Sequence, residues 1–109
     1  PEAGAKAVEE MMRRGLDCDG IFACSDLLAI TSIHALRERG LRIPQDIAIV
    51  GYDDIELAAY SDPPLTTVRQ PIQDAGRKLV AALLSLIDGK PSPSQNLETE
   101  LVCRASSGM

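Results

Sequence analysis

Polar side chains follow two short apolar runs of this chain, and they are the residues best suited to chemistry. Ser25 and Asp26 come directly after "IFAC", and Tyr52, Asp53 and Asp54 come after "IAIV" and a glycine. Open α/β sheets bind ligands beyond the carboxyl ends of their strands. If the two runs are neighbouring parallel strands, Ser25 and Asp53 face one crevice at that edge.

Asp53 is the strongest candidate for contact with a ligand. A carboxylate at a strand end can accept two hydroxyl hydrogen bonds at once, and each charge-assisted bond contributes roughly 1.5–3 kcal/mol net. Sugars and nucleosides offer such hydroxyl pairs. Either Ser25 or Asp26 can cap the helix that follows. We interpret Asp26 as a cap and Asp54 as an ordinary loop carboxylate, so the binding role is given to Asp53.

The sequence does not predict an enzyme. It contains no Ser-His-Asp order, GxSxG, phosphate loop or HExxH motif, and general acid–base catalysis would need a partner with a shifted pKa in the same cleft. A phosphoryl-accepting receiver domain would need a lysine at a later strand end, where none stands. His34 is the single histidine. We predict no catalytic residue, no metal ligand and no cofactor.

Composition indicates an ordinary globular protein of one small domain. The 109 residues are 45% hydrophobic and 25% charged, with a net charge of −5. The basic residues are scattered, which argues against nucleic-acid binding by this piece. Three cysteines without CxxC spacing favour reduced thiols and a cytoplasmic protein, with Cys24 and Cys103 packing as small hydrophobes. No apolar stretch is long enough to span a membrane.

Helices and strands alternate along the first half of the chain. Residues 2–15 and 26–39 have helical apolar patterns, and "DGIFAC" and "DIAIV" are short buried strands, so we predict a parallel α/β sheet. An irregular stretch then precedes the remaining elements, which are a strand "LTTVRQ", a helix over 71–89, a loop "KPSPSQN" and a strand "LETELVCRAS".

The helix over 26–39 is apolar on two sides. One side, with Ala29, Ile33 and Leu36, suits the sheet. A helix with two apolar sides usually has two partners, which favours a subunit interface over simple burial within one domain. The second side carries Leu27, Ile30 and His34.

Four motifs, in this order and spacing, resemble the C-terminal half of LacI/GalR (lactose-repressor) type transcriptional regulators. They are "SDLLAI", "GLRIPQDIAIVGYDD", "PPLTTVRQP" and "RASS", and the resemblance covers nearly the whole chain. It implies a parallel-sheet, three-layer α/β/α, periplasmic-binding-protein-like fold of two lobes, present here as its C-terminal half. An N-terminal helix-turn-helix DNA-binding domain and the opening half of the first lobe are also implied, and neither lies in this chain.

The resemblance also assigns residues to functions. Ser25 stands where the family often has a ligand-contacting Asn or Ser, and Asp53 stands where the family's carboxylate binds effector hydroxyls. Gln70 lies in the crossover between lobes, where it can line the cleft. The family's dimer face falls on the helix over 26–39 and on the segment 55–60. The dimer-interface residues implied are Leu27, Ile30, His34, Ile55 and Tyr60.

The resemblance divides the chain into three parts. Residues 1–69 would belong to the C-terminal lobe, residues 70–96 to the crossover and a helix of the N-terminal lobe, and residues 97–109 to a return strand and tail. The apolar stripe of the helix over 71–89 would then lie exposed, and we expect a second copy of the chain to cover it.

The sequence therefore predicts the effector-binding and dimerising part of a homodimeric DNA-binding transcriptional regulator. Its effector would be a sugar or nucleoside, and DNA would be bound only through the N-terminal domain. The alternative is one lobe of a periplasmic sugar-binding protein that serves a transporter. Such a protein would usually be a monomer with an upstream signal peptide, and it would have less reason for a two-sided helix. A sugar-processing enzyme is a distant third.

Overall fold

The computed structural model describes residues 2–15, 17–90 and 98–108. They form two compact units, Pro1–Arg69 with Leu101–Met109, and Gln70–Glu100. The elements in chain order are α1 (Glu2–Arg13), β1 (Gly20–Phe22), α2 (Asp26–Glu38), β2 (Ala48–Val50), a first 3-10 helix (Glu56–Ala59), β3 (Thr67–Arg69), α3 (Ile72–Ile87), β4 (Glu100–Val102) and a second 3-10 helix (Ala105–Ser107).

The predicted parallel sheet is confirmed, with shorter strands. β1 pairs with β2 in parallel, and Phe22 lies opposite Val50. Single parallel bridges, Val50 to Thr66 and Asp53 to Arg69, add the chain around β3 beside β2. β3 and β4 form a second two-stranded sheet. The carboxyl ends of β1, β2 and β3 therefore point to one edge, because neighbouring parallel strands share their direction.

The core of the first unit lies between α2 and the sheet. Ala29, Ile33 and Leu36 on α2 are 0%, 3% and 0% exposed, and Ile49 at the centre of β2 is 0% exposed. Val8 of α1 joins the same cluster. The side of α2 that the sequence assigns to the sheet is thus the buried side, as the 3.6-residue periodicity predicted.

The predicted packing of the cysteines is wrong. Cys18, Cys24 and Cys103 are all exposed and carry free thiols. Cys24 follows the buried Ala23, and Cys103 follows the half-buried Val102. Neighbouring residues of an extended chain point to opposite faces, so an apolar neighbour does not place the cysteine in the core.

The second unit contains α3, which exposes apolar side chains along its length. Leu79 and Ile87 are each 71% exposed, and Leu83 and Leu86 are 59% and 60% exposed. The expectation of an exposed stripe on this helix agrees with these values. The predicted loop "KPSPSQN" falls at residues 90–96, of which 91–96 lie outside the described residues.

Candidate functional site

Ser25 and Asp53 lie at the same edge of the sheet. Each stands three residues beyond a member of the pair Phe22 and Val50. Next to them, the backbone N–H of Asp26 donates to the carbonyl of Tyr52 over 3.1 Å. The hydrogen bond holds the two strand ends side by side, so the structure brings together the two residues that the sequence singled out.

Asp53 presents an exposed carboxylate on a tightly held backbone. Its φ is +121°, in a region that costs an L-residue about 1–3 kcal/mol. The backbone N–H of Asp53 donates to the carbonyl of Val68 over 2.8 Å. In the described part of the chain, no hydrogen bond or ion pair engages the carboxylate of Asp53. Both of its oxygens are available to an incoming hydroxyl pair.

Ser25 is the N-cap of α2. Its Oγ accepts a hydrogen bond from the backbone N–H of Leu28 over 3.1 Å, and its backbone is extended, with φ −150° and ψ 155°. Capping of this kind satisfies one of the unpaired amides of the first helical turn. The cap uses the oxygen as an acceptor, so the hydroxyl proton of Ser25 can still be donated to a ligand.

Asp26 is not the cap, and that interpretation of it is wrong. Asp26 is 1% exposed. Oδ1 accepts from the hydroxyl of Thr67 over 2.5 Å, and Oδ2 accepts from the backbone N–H of Ile55 over 2.7 Å. Asp26 therefore ties the start of α2 to the segment after β2 and to β3. The sequence did not indicate this role because both partners are distant along the chain, Ile55 by 29 residues and Thr67 by 41.

Gly51 makes room for this contact. A Cβ built on Gly51 would lie 2.3 Å from Oδ1 of Asp26 and 2.9 Å from a methyl carbon of Leu65. Both distances are shorter than real Cβ contacts. The glycine that ends the apolar run in "IAIVG" is thus explained by the close approach of Asp26.

Asp54 is also more than an ordinary loop carboxylate, and that interpretation is corrected too. Oδ2 accepts from Nε of Arg69 over 2.8 Å, and Oδ1 accepts from Nη1 of Arg104 over 2.9 Å. Partial burial acts to raise the pKa of Asp54, but the hydrogen bonds and charges of Arg69 and Arg104 outweigh it and hold the pKa below its usual value. We call this group of three side chains the Asp54 clamp.

The "RASS" motif locks the C-terminal segment onto the sheet. Besides holding Asp54, Arg104 donates from Nη1 to the carbonyl of Leu65 over 2.9 Å. The hydroxyl of Ser106 donates to the carbonyl of Ile49 over 2.6 Å and accepts from the backbone N–H of Thr66 over 2.8 Å. Charge-assisted and buried hydrogen bonds of this kind are stronger than exposed ones, so the motif fixes the last residues beside β2 and β3.

Gln70 begins the second unit and is half-buried. It is therefore described with that unit, apart from Ser25 and Asp53. Within residues 2–15, 17–90 and 98–108, no three His, Cys, Asp or Glu side chains are grouped so as to hold a metal ion. Across the same residues, no helix has the length and apolar character needed to cross a membrane.

The surface assigned to the dimer interface is formed by α2 and the first 3-10 helix. Leu27 and Tyr60 are 51% and 77% exposed, and His34 is also exposed, whereas Ile30 and Ile55 are half-buried and pack against the core. We call these five residues the α2–3-10 face.

A hydrogen-bonded loop joins the two parts of this face. Nη1 of Arg37 on α2 donates to the carbonyl of Asp62 over 2.9 Å and lies 3.1 Å from its carboxylate. An open cavity of about 520 Å³ lies along this junction and is lined by Ile30, His34 and Ser61, among others. The cavity therefore adjoins the α2–3-10 face, because two residues of the face, Ile30 and His34, line it.

A family model described as the periplasmic binding protein-like domain matches residues 1–107. The chain belongs to this family. Within the family, the resemblance to LacI/GalR-type regulators predicted from the sequence is confirmed by relatives and solved structures. The periplasmic-binding-protein-like α/β fold is confirmed by the same matches.

Among relatives of this periplasmic binding protein-like domain is the HTH-type transcriptional regulator CelR of Thermobifida fusca, 38% identical over 107 residues. The match covers 96% of this chain and 32% of CelR. A solved transcriptional regulator CelR–cellobiose complex superposes with a TM-score of 0.87 at 40% identity, over 95% of this chain and 32% of that one. The lac repressor dimer bound to operator and the anti-inducer ONPF superposes with a TM-score of 0.91 at 33% identity, over 97% and 37%.

The chain thus spans about a third of the length of the curated relatives it matches. Those relatives are transcriptional regulators. Because these relatives are regulators, they favour the regulator over the transport receptor that the sequence left as the alternative.

Proposed function

We propose that this chain is the effector-binding and dimerising part of a cytoplasmic DNA-binding transcriptional regulator of the LacI/GalR type, with no catalytic activity. The observation that supports it most is the pair formed by Asp53 and Ser25 at the carboxyl edge of the parallel sheet. Among the described residues the carboxylate of Asp53 has no bonding partner, and the hydroxyl of Ser25, at the same edge, can still donate its proton. This combination suits a ligand with adjacent hydroxyl groups.

The effector would be a small hydroxyl-rich molecule, of which a sugar is favoured and a nucleoside is the other candidate. The CelR–cellobiose structure supports the sugar, because its chain covers this one almost completely. Gln70 would add a polar contact from the crossover. The division into two compact units, residues 1–69 with 101–109 and residues 70–100, supports assigning residues 1–69 to one lobe and residues 70–96 to the other, with residues 97–109 as the return strand and tail.

The α2–3-10 face would join two copies of the regulator. Aromatic and large aliphatic side chains are enriched at the centres of protein interfaces, and Tyr60 and Leu27 provide both types in exposed positions. The dimeric lac repressor structure that superposes on this chain supports a homodimer. DNA would be bound through an N-terminal domain outside this chain, because the chain itself carries a net charge of −5.

The mechanism would be allosteric. Bound effector would favour one arrangement of the full-length regulator, which would change the geometry of the dimer and so the affinity for operator DNA. Coupling between two such sites is typically about 1–3 kcal/mol. The effector needs a higher affinity for one arrangement than for the other, since equal affinities shift no equilibrium.

Calorimetric titration of the full-length protein tests this function. We would titrate cellobiose, a panel of other mono- and disaccharides and a panel of nucleosides, and then measure operator-fragment binding by fluorescence anisotropy with each compound that binds. Saturable sugar binding that changes DNA affinity supports the proposal. Sugar binding by a protein without DNA affinity would favour the transport receptor, and turnover of a bound sugar would contradict the absence of catalysis.

A further inference from the structure

The two neighbouring carboxylates after β2 have opposite environments. Asp53 is exposed and its carboxylate has no bonding partner among the described residues, whereas the side chain of Asp54 is 11% exposed and accepts from two arginines. Both residues have positive φ, +121° for Asp53 and +57° for Asp54. Positive φ at two successive non-glycine residues persists only where the surroundings hold it.

The backbone of this turn is bonded at every amide. The N–H of Asp53 donates to the carbonyl of Val68 over 2.8 Å, that of Asp54 lies 3.3 Å from Oγ1 of Thr67, and that of Ile55 donates to Oδ2 of Asp26. The first two acceptors, Val68 and Thr67, belong to β3. The Asp54 clamp adds Arg69, also on β3, and Arg104, which enters from the C-terminal segment.

We propose that Asp54 is a positioning residue: clamped by Arg69 and Arg104, it holds the turn at 53–54 in its left-handed conformation and so aims the carboxylate of Asp53 at the effector. This inference rests on the proposed effector-binding function. Asp54 itself does not touch the effector, because both of its oxygens are already taken by arginine donors. Without the clamp, the turn relaxes towards ordinary negative φ and the carboxylate of Asp53 swings away from its position.

Hydrogen exchange of the full-length protein tests the inference without any ligand. In Asp54→Asn, the amides of the peptide covering residues 52–56 should exchange about tenfold faster or more, since local opening becomes easier. Arg69→Gln removes one of the two arginines and should act in the same direction with a smaller change. Asp46→Asn removes the partner of Arg42 at an exposed site and should leave the peptide unchanged. Unchanged exchange at 52–56 in Asp54→Asn would overturn the proposal.

Cellobiose titration in two backgrounds separates positioning from general destabilisation. Asp54→Asn should weaken cellobiose binding about tenfold or more, as misplacement of a polar contact does. It should cause no further loss in an Asp53→Asn background, which keeps one acceptor oxygen and so weakens binding without abolishing it. Equal losses in both backgrounds would show that Asp54 acts independently of Asp53, and would refute the inference. If wild-type protein binds no sugar or nucleoside, the proposed function fails, while the exchange measurement still decides the role of Asp54.

Discussion

Asp54 and Arg104 are fifty residues apart in the chain and joined by a hydrogen bond of 2.9 Å. The bond ties the turn after β2 to the segment that returns after α3. Its two side chains are 11% and 18% exposed, so the pair is partly shielded from water. Removing one partner of such a pair costs more than removing an exposed one, because the remaining charge has lost solvent as well as its partner.

The ionised state of Asp54 makes stability depend on pH. Its folded pKa lies below the unfolded value, which is about 3.9 for Asp. The stabilisation is therefore fully present above about pH 4 and is lost as the pH falls through the folded pKa. We expect Asp54→Asn to lower the free energy of unfolding at pH 7 by about 1–3 kcal/mol, which thermal unfolding measures as a lower midpoint. The difference from wild type should shrink below about pH 4. A difference that stays constant down to pH 3 would contradict the ionised clamp.

Asp53 should be needed for the effector response and dispensable for the fold. Its carboxylate has no bonding partner among the described residues, so Asp53→Ala removes no hydrogen bond or ion pair within them. We expect the full-length variant to lose measurable effector binding by calorimetry while sedimenting as the wild-type protein does. Asp46→Ala, another exposed aspartate, is the control and should bind normally. Unchanged effector affinity in Asp53→Ala would show that the role given to Asp53 is wrong.

Adding one methyl group at Gly51 should destabilise the first unit. The new Cβ would collide with Asp26 and Leu65, both of which are buried, and overpacking of this kind costs about 1–3 kcal/mol. Gly20→Ala is the matched control, because its Cβ would meet only the carbonyl of Ala48 at 3.7 Å. Urea unfolding of both variants measures the effect. Equal midpoints for the two would mean that Asp26 moves aside freely.

A charge placed on the α2–3-10 face should weaken the proposed homodimer. Tyr60 is exposed at 77%, and an interface tyrosine of this kind commonly contributes about 2 kcal/mol or more. We expect Tyr60→Asp to raise the dimer dissociation constant by roughly 30-fold or more, measured by sedimentation velocity over a dilution series. Gln45→Asp, at an exposed position outside the face, should leave association unchanged. Wild-type dimerisation by Tyr60→Asp would place the interface elsewhere.

Local patterns predicted the elements and the sheet edge at which Ser25 and Asp53 lie, but not the partners of Asp26 and Asp54. The apolar spacing on α2 identified its buried side, and a buried strand ending in Tyr52, Asp53 and Asp54 located the site edge. The partners of the other carboxylates could not be predicted, because Thr67 lies 41 residues from Asp26, and Arg104 lies 50 residues from Asp54. Pairings over such separations depend on strand order, and short strands carry little information about their neighbours.

The chain leaves its first unit after Arg69 and returns to it at Leu101, and the strands at these two points, β3 and β4, are neighbours in one sheet. The intervening residues are therefore topologically an insertion whose two ends are joined to adjacent strands. Insertions of this kind can be exchanged between homologous proteins as cassettes, because both junctions with the rest of the protein lie on neighbouring strands. Biosensor engineering could use this property by replacing residues 70–100 of this protein with the matching segment of a homologue. Ser25, Asp53 and the whole Asp54 clamp would be kept.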